Sequence, residues 1–201
     1  MAILALGNEW YVHDTSQAQR PFAIATDASL DKLGYVSFTR VDAAWKVHRQ
    51  GFLILEHTTT IDVEEARAVI FTLLELKDFL QDYRPDAIVI GIDNLGISRS
   101  LLRGTSASTG ANPLVQETID FLIERVNPQK LGFCDIASED NVADVLTRHG
   151  DCESYDYNTR LELTKTALNR ALDNLNQNLR WTPRLRAPAL EPVPTVGTFA
   201  L

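Results

Sequence analysis

The chain has 201 residues, 45% of them hydrophobic and 23% charged, which is the composition of an ordinary globular protein with room for one domain and an appendage. Nineteen Lys and Arg against twenty-seven Asp and Glu give a net charge of −8. That excludes a protein that wraps nucleic acid with a broad basic surface, but not a nuclease that grips its substrate locally through metal ions. The two cysteines, Cys134 and Cys152, fit neither a zinc pattern nor a disulfide framework. Cys134 lies in an apolar run and reads as a buried free thiol, so a reducing compartment, cytoplasm or nucleus, is expected. The apolar start Met1 to Gly7 has no basic stretch before it and turns acidic at Glu9. Neither a secretory leader nor a membrane span is expected.

Residues 1–20 read as an irregular segment. Pro21 opens a buried strand, Phe22-Ala23-Ile24-Ala25-Thr26, that ends in Asp27. Asp31-Lys32-Leu33-Gly34 is a turn, Tyr35 to Arg40 alternates as a second strand, and Trp45 to Glu56 is a third, with Gly51 as a candidate bulge. On this third strand Lys46 and His48 share a face that can meet a nucleic-acid backbone, although a solvated face over an inward Trp45 is the plainer reading. The period then changes. Thr60 or Asp62 caps a helix to about Asp82, with Ala66, Val69, Ile70, Leu73, Leu76 and Leu80 on its apolar stripe. Ala87 to Ile92 is an unbroken apolar run, hence a central strand, closed by Asp93.

Further along, Asn94 to Leu102 is a short helix, and the Ser- and Thr-rich stretch 104–110 is a loop whose Thr105, Ser106 and Ser108 can touch phosphate, although a flexible linker is the plainer reading. Pro113 to Val126 is a helix, Lys130 to Ile136 a strand, and Glu139 to Arg148 a helix. Asn158 to Leu179 is a long helix with a leucine stripe, and Pro183 to Leu201 carries four prolines without periodicity. The order β-β-β-α-β-α-α-β-α plus an extra helix predicts an α/β fold, a five-stranded mixed sheet with helices on both faces. The organisation is then a domain over 21–150, a helical extension over 151–182 and a Pro-rich tail over 183–201.

Four carboxylates stand out. Asp27 and Asp93 each end an apolar strand, at the sheet edge where ligands gather. Glu65 continues the buried stripe of its helix, whereas Glu64 aligns with Arg67, Phe71 and Glu75 and reads as solvated. Asp144 sits mid-helix between Val142, Val145 and Leu146, so it too faces inward. Each has a plain structural reading as well: a turn cap, a partner for the helix dipole, or an exposed helix acid.

These residues also carry a resemblance. Thr26-Asp27-Ala28-Ser29 with Gly34, Glu65-Ala66-Arg67-Ala68-Val69, Gly91-Ile92-Asp93-Asn94 and Ser138 to Arg148 resemble, in order, the motifs of retroelement ribonuclease H domains of the gypsy, DIRS and pararetrovirus branch of reverse transcriptases. The last, in the general form Asn-x-x-Ala-Asp-x-Leu-Ser-Arg, is the most specific. The resemblance covers about residues 22–148 and implies a ribonuclease H-like fold and a nuclease cutting the RNA strand of RNA–DNA hybrids. It implies two Mg²⁺ or Mn²⁺ ions on Asp27, Glu65, Asp93 and Asp144, one activating water and one stabilising the leaving 3′-oxygen.

Many relatives carry a His where Asp135 stands here, and His149 lies too late to replace it. Substrate contacts are expected from Asn94, toward a ribose 2′-hydroxyl, from Ser29, and from Arg99 and Arg103, four apart on one helix face toward a phosphate backbone, although solvated surface charges are the plainer reading of the two arginines. A reverse transcriptase or other protein is a candidate partner for the 158–179 helix. Two alternatives stay open: a weak or inactive ribonuclease H-like scaffold inside a larger polymerase or host complex, and a DNA-cutting nuclease of the same fold.

Overall fold

The computed structural model describes residues 3–6, 9–12, 19–148 and 155–177. Strands β1 (Ile3–Leu6) and β2 (Glu9–Val12) form an antiparallel hairpin in register Leu6↔Glu9. This corrects the irregular reading of 1–20.

The main sheet contains β3 (Pro21–Ala28), β4 (Lys32–Val41), β5 (Ala44–Ile54), β6 (Ala87–Ile92) and β7 (Leu131–Asp135), in the order β5-β4-β3-β6-β7. The first three are an antiparallel meander, while β6 and β7 run parallel to β3. With helices on both faces, this is the ribonuclease H-like arrangement that the resemblance implies. The bulge in the meander is not at Gly51. Ser37 pairs with Arg49 and Phe38 with Val47, so His48 is the extra residue. Gly51 instead lies under the Tyr35 ring, which a Cβ there would meet at 3.0 Å. The displaced His48 stacks on Phe79 with ring centroids 3.8 Å apart.

One face of the sheet carries α1 (Ile61–Glu75), α2 (Lys77–Tyr83), α3 (Leu95–Arg103) and α4 (Ala111–Ile123). Phe22, Ile24, Ile88, Ile90 and Ile92 meet Val69, Leu73, Ile97 and Leu122 there. The single helix expected to Asp82 is two helices that break at Leu76. Thr72 donates its hydroxyl to the Ala68 carbonyl at 2.7 Å, a back-bond that bends helices. The other face carries α5 (Val142–Arg148) and α6 (Tyr155–Asn176) over Ala23, Ala25, Val36, Phe38 and Val89. Alternation along β3 and β6 thus feeds two separate cores.

The stripe of α6 is used internally: Leu168, Leu172 and Leu175 are buried against the sheet. The periodicity alone leaves this stripe to cover either this domain or a partner, and Leu168, Leu172 and Leu175 cover this sheet. Leu179, Cys152, His149 and the tail 183–201 lie outside the described residues. Among those described, no helix is long and apolar enough to cross a membrane. Cys134 is a free, half-buried thiol that burial pushes up to about 12.

Candidate metal centre

Parallel pairing of β3 with β6, in register Thr26↔Ile92, brings the carboxyl ends of two central strands together. Asp27 and Asp93 follow at that edge. Glu65 comes from the second turn of α1, across the end of β3, where the Ala28 backbone hydrogen-bonds it. One carboxylate oxygen from each of Asp27, Glu65 and Asp93 lies within 4.8 Å of the other two. Asp27 and Glu65 are each 3% exposed. Asp27 accepts from the Thr147 hydroxyl of α5, and Asp93 Oδ2 accepts from Ser138 Oγ at 2.7 Å.

The remaining oxygens define the chemistry. Glu65 Oε2 and Asp93 Oδ1 are buried, and among the described residues neither has a hydrogen-bond donor. A buried carboxylate oxygen without a donor or a cation is costly. Without an ion, the cluster takes up protons instead. Burial, then the Asp93 and Asp144 charges, push Asp27 up to about 8 against the opposing Thr147 bond. Burial, then the Asp93 and Asp27 charges, push Glu65 up to about 10. A hard divalent cation relieves both the orphaned oxygens and the repulsion. Oxygens on one Mg²⁺ lie at most about 4.2 Å apart, given bonds of about 2.1 Å, close to the spread found here. The donor set fits such an ion.

Asp144 is placed differently. It is buried on α5, and its charge reaches Asp27. Both its oxygens are already engaged by guanidinium groups, Oδ1 by Arg148 Nε at 2.5 Å and Oδ2 by Arg160 Nη1 at 2.8 Å. It therefore stands beside the triad and not among the three acids whose oxygens converge. Asp135 is exposed at the end of β7.

Gly34 explains how α5 comes so near. It pairs with Asp27 across the meander, and a Cβ on it would lie 2.8 Å from Thr147 Cγ2 and 3.0 Å from the Ala143 carbonyl. Asn141 fastens the same helix, donating to the Thr26 carbonyl at 2.9 Å while its side-chain oxygen accepts from Ala143 N at 3.1 Å.

The expected substrate contacts are brought together less tightly. Asn94 Oδ1 accepts from Ile97 N at 3.1 Å and caps α3, and its amide donates to Asp62 at 3.2 Å. Ser29 shapes the β3–β4 turn through Asp31 and Lys32. Arg99 and Arg103 are exposed on α3, which starts beside the triad. In the loop, Ser108 Oγ accepts from Ala111 N at the start of α4, so its hydroxyl is engaged within the chain.

Glu64 is a correction. It is fully buried, accepting from Thr59 N at 2.8 Å, Thr59 Oγ1 at 2.9 Å and Arg67 Nη1 at 2.8 Å. It ties the start of α1 to the loop before it, which a helical wheel does not represent. Sequence reasoning also gave no role to Thr147, Ser138, Arg148 or Arg160. The first three lie inside the terminal motif, so their place beside its Asp was a usable signal. Arg160 lies outside every motif, and only the packing of α6 brings it to Asp144.

No family model and no curated protein sequence matches the chain. Among solved structures it is similar to LC11-RNase H1, isolated from compost by a metagenomic approach, at 18% identity and TM-score 0.46, over 76% of this chain and 98% of that one. It is similar to RNase H1 from the halophilic archaeon Halobacterium salinarum NRC-1 at 12% identity and TM-score 0.42, over 77% and 98%. It is also similar to the foamy viral protease-reverse transcriptase in complex with RNA/DNA hybrid, at 10% identity and TM-score 0.43, over 86% of this chain and 22% of that one. The strand order and helix placement, with the acids at one sheet edge, carry the fold assignment.

Proposed function

We propose that this chain is a divalent-metal-dependent nuclease of the ribonuclease H type, acting on the RNA strand of RNA–DNA hybrids. The observation that carries the metal is the pair of orphaned, buried oxygens, Glu65 Oε2 and Asp93 Oδ1, converging with Asp27. The hybrid substrate rests on the terminal motif 138–148 together with the three shorter ones. Asp27, Glu65 and Asp93 would hold the ion, Mg²⁺ or Mn²⁺, with Asp144 at the edge of the same site. When bound, such ions activate water and stabilise the leaving oxygen of a phosphodiester. Thr147 and Ser138 fix the aspartates, α5 and α6 close the site from one side, and Arg99 and Arg103 offer exposed charge for a phosphate backbone.

The test is cleavage of a labelled hybrid with Mg²⁺, Mn²⁺ or chelator, beside duplex RNA and duplex DNA. The reading requires metal-dependent cuts in the RNA strand of the hybrid, abolished in Asp93→Asn. Cutting of duplex DNA alone would favour a DNA nuclease of this fold.

A second reading, a scaffold within a larger polymerase or host complex, gains from two observations. Both Asp144 oxygens are held by arginines. The edge strand β5 also exposes Phe52, Leu53 and Ile54, an apolar stretch of the kind that partners cover. A folded protein that binds the metal yet cuts no nucleic acid would favour it.

A further inference from the structure

Arg160 is the side chain that joins α6 to the acid site. Its Nη1 donates to Asp144 Oδ2 and to the Ser138 carbonyl, each at 2.8 Å, and its Nε donates to Asp156 Oδ2 at 2.6 Å. One guanidinium therefore spans the loop whose Ser138 hydroxyl holds Asp93 and the helix that carries Asp144. One turn later Thr164 fastens the same segment, donating to the Asp140 carbonyl at 2.8 Å and accepting from Val142 N at 3.0 Å. Thr164 is fully buried, and Leu168, Leu172 and Leu175 seat the rest of the helix. Arg160 is thus set in place by its own helix, with 18% of its side chain exposed against 62% for Arg148.

The four acids consequently divide by charge balance. Asp27, Glu65 and Asp93 converge with two orphaned oxygens among them, whereas Asp144 has a guanidinium on each oxygen. We infer that Arg160 is the resident cation of the Asp144 side, so that the site holds one divalent ion on Asp27, Glu65 and Asp93 and admits a second, near Asp144, only in competition with Arg160. The inference rests on the metal-dependent reading of the site. A fixed positive group in contact with a carboxylate opposes an incoming cation, and in a half-buried setting that opposition is little screened. Arg160 is accordingly a positioning residue that also sets metal occupancy.

The test is Mn²⁺ and Mg²⁺ binding by titration calorimetry on the full chain, for the wild type and for Arg160→Gln, Arg160→Lys, Asp156→Asn and Asp93→Asn. The wild type should bind one ion with a second at least about tenfold weaker, and Arg160→Gln should tighten the second ion by about tenfold or more with a smaller change in the first. Arg160→Lys, which keeps the charge, should return the second affinity most of the way to the wild type. Asp156→Asn, at an exposed partner of Arg160 and clear of the acids, removes a carboxylate that shares the guanidinium and should weaken the second ion slightly. Second-ion affinity that is unchanged or weaker in an Arg160→Gln variant that still binds the first ion overturns the inference while leaving the metal reading intact. A folded wild type that binds no ion, indistinguishable from Asp93→Asn, overturns the metal reading and the inference with it.

Discussion

Two corners of one acid site are balanced in opposite ways. At the end of β3 and β6, Asp27, Glu65 and Asp93 crowd together with hydroxyl and backbone donors, and among the described residues no side-chain cation pairs with them. On α5, Asp144 is as buried as Asp27 and Glu65 and has two arginines. The first corner stores repulsion that an ion or protons must relieve, and the second is complete as folded. Burial of a carboxylate is therefore no guide by itself to whether it awaits a metal; what decides is which of its oxygens lack donors.

The largest break in this comparison comes from Asp27→Asn or Asp93→Asn. Each should lower hybrid cleavage by at least about a hundredfold, since a metal template is worth several kcal/mol. The metal-free melting temperature should hold or rise, because like-charge repulsion is reduced. Cleavage assays beside thermal melts in chelator check both halves. A large drop in metal-free stability would mean that the triad is a structural network.

Next in size is Leu168→Ala. Leu168 is fully buried on α6, and truncating a core leucine costs about 2–5 kcal/mol. The same variant should loosen the hold of α6 on the Asp144 corner, read as weaker protection of amides 142–148 from hydrogen exchange. Protection in β3 and β6 should change less beyond the global loss.

The pH dependence separates the corners without mutation. Asp27 moves from 3.8 to about 8 and Glu65 from 4.5 to about 10 on folding without metal. Between the unfolded and folded values the native state binds more protons than the unfolded chain, so stability falls as pH rises. Denaturant melts in chelator should show full stability near pH 4 and a steady loss through pH 8 toward 10. Saturating Mg²⁺ should flatten the decline, since bound metal replaces the protons. A metal-free stability that rises over this range would contradict the mutual repulsion of Asp27, Glu65 and Asp93.

The smallest expected effect is Arg148→Ala. Its side chain is 62% exposed although its partner Asp144 is buried, so solvent screens the Arg148 end of the pair and its loss should cost about 0.2–1 kcal/mol. Stability should shift within that range, while Arg160→Gln shifts it more because it strips a half-buried partner from Asp144. Equal shifts would mean that the two arginines share the carboxylate evenly.

Much of this site was legible in the chain itself. Apolar runs ending in Asp27 and Asp93, the change of period before Glu65, and the motif around Asp144 name all four acids, because strand and helix periodicities are local properties. The same locality explains the misses. Glu64 looks solvated on a wheel that omits Thr59. The bulge falls at His48 because register across β4 sets it. The α6 stripe could not declare whether it would cover this sheet or another protein.

What the sequence determined alone is the five strands of the main sheet, their order among the helices and the strand ends and helices that carry the acids, since hydrophobic period and turn chemistry act over a few residues. What only the tertiary structure decided is how those acids are balanced. Parallel pairing of β3 with β6 set Asp27 beside Asp93, Gly34 let α5 approach, and the docking of α6 delivered Arg160 to Asp144 from 16 residues downstream. Charge balance is a sum over groups that meet in space, and no local pattern in the chain encodes that sum.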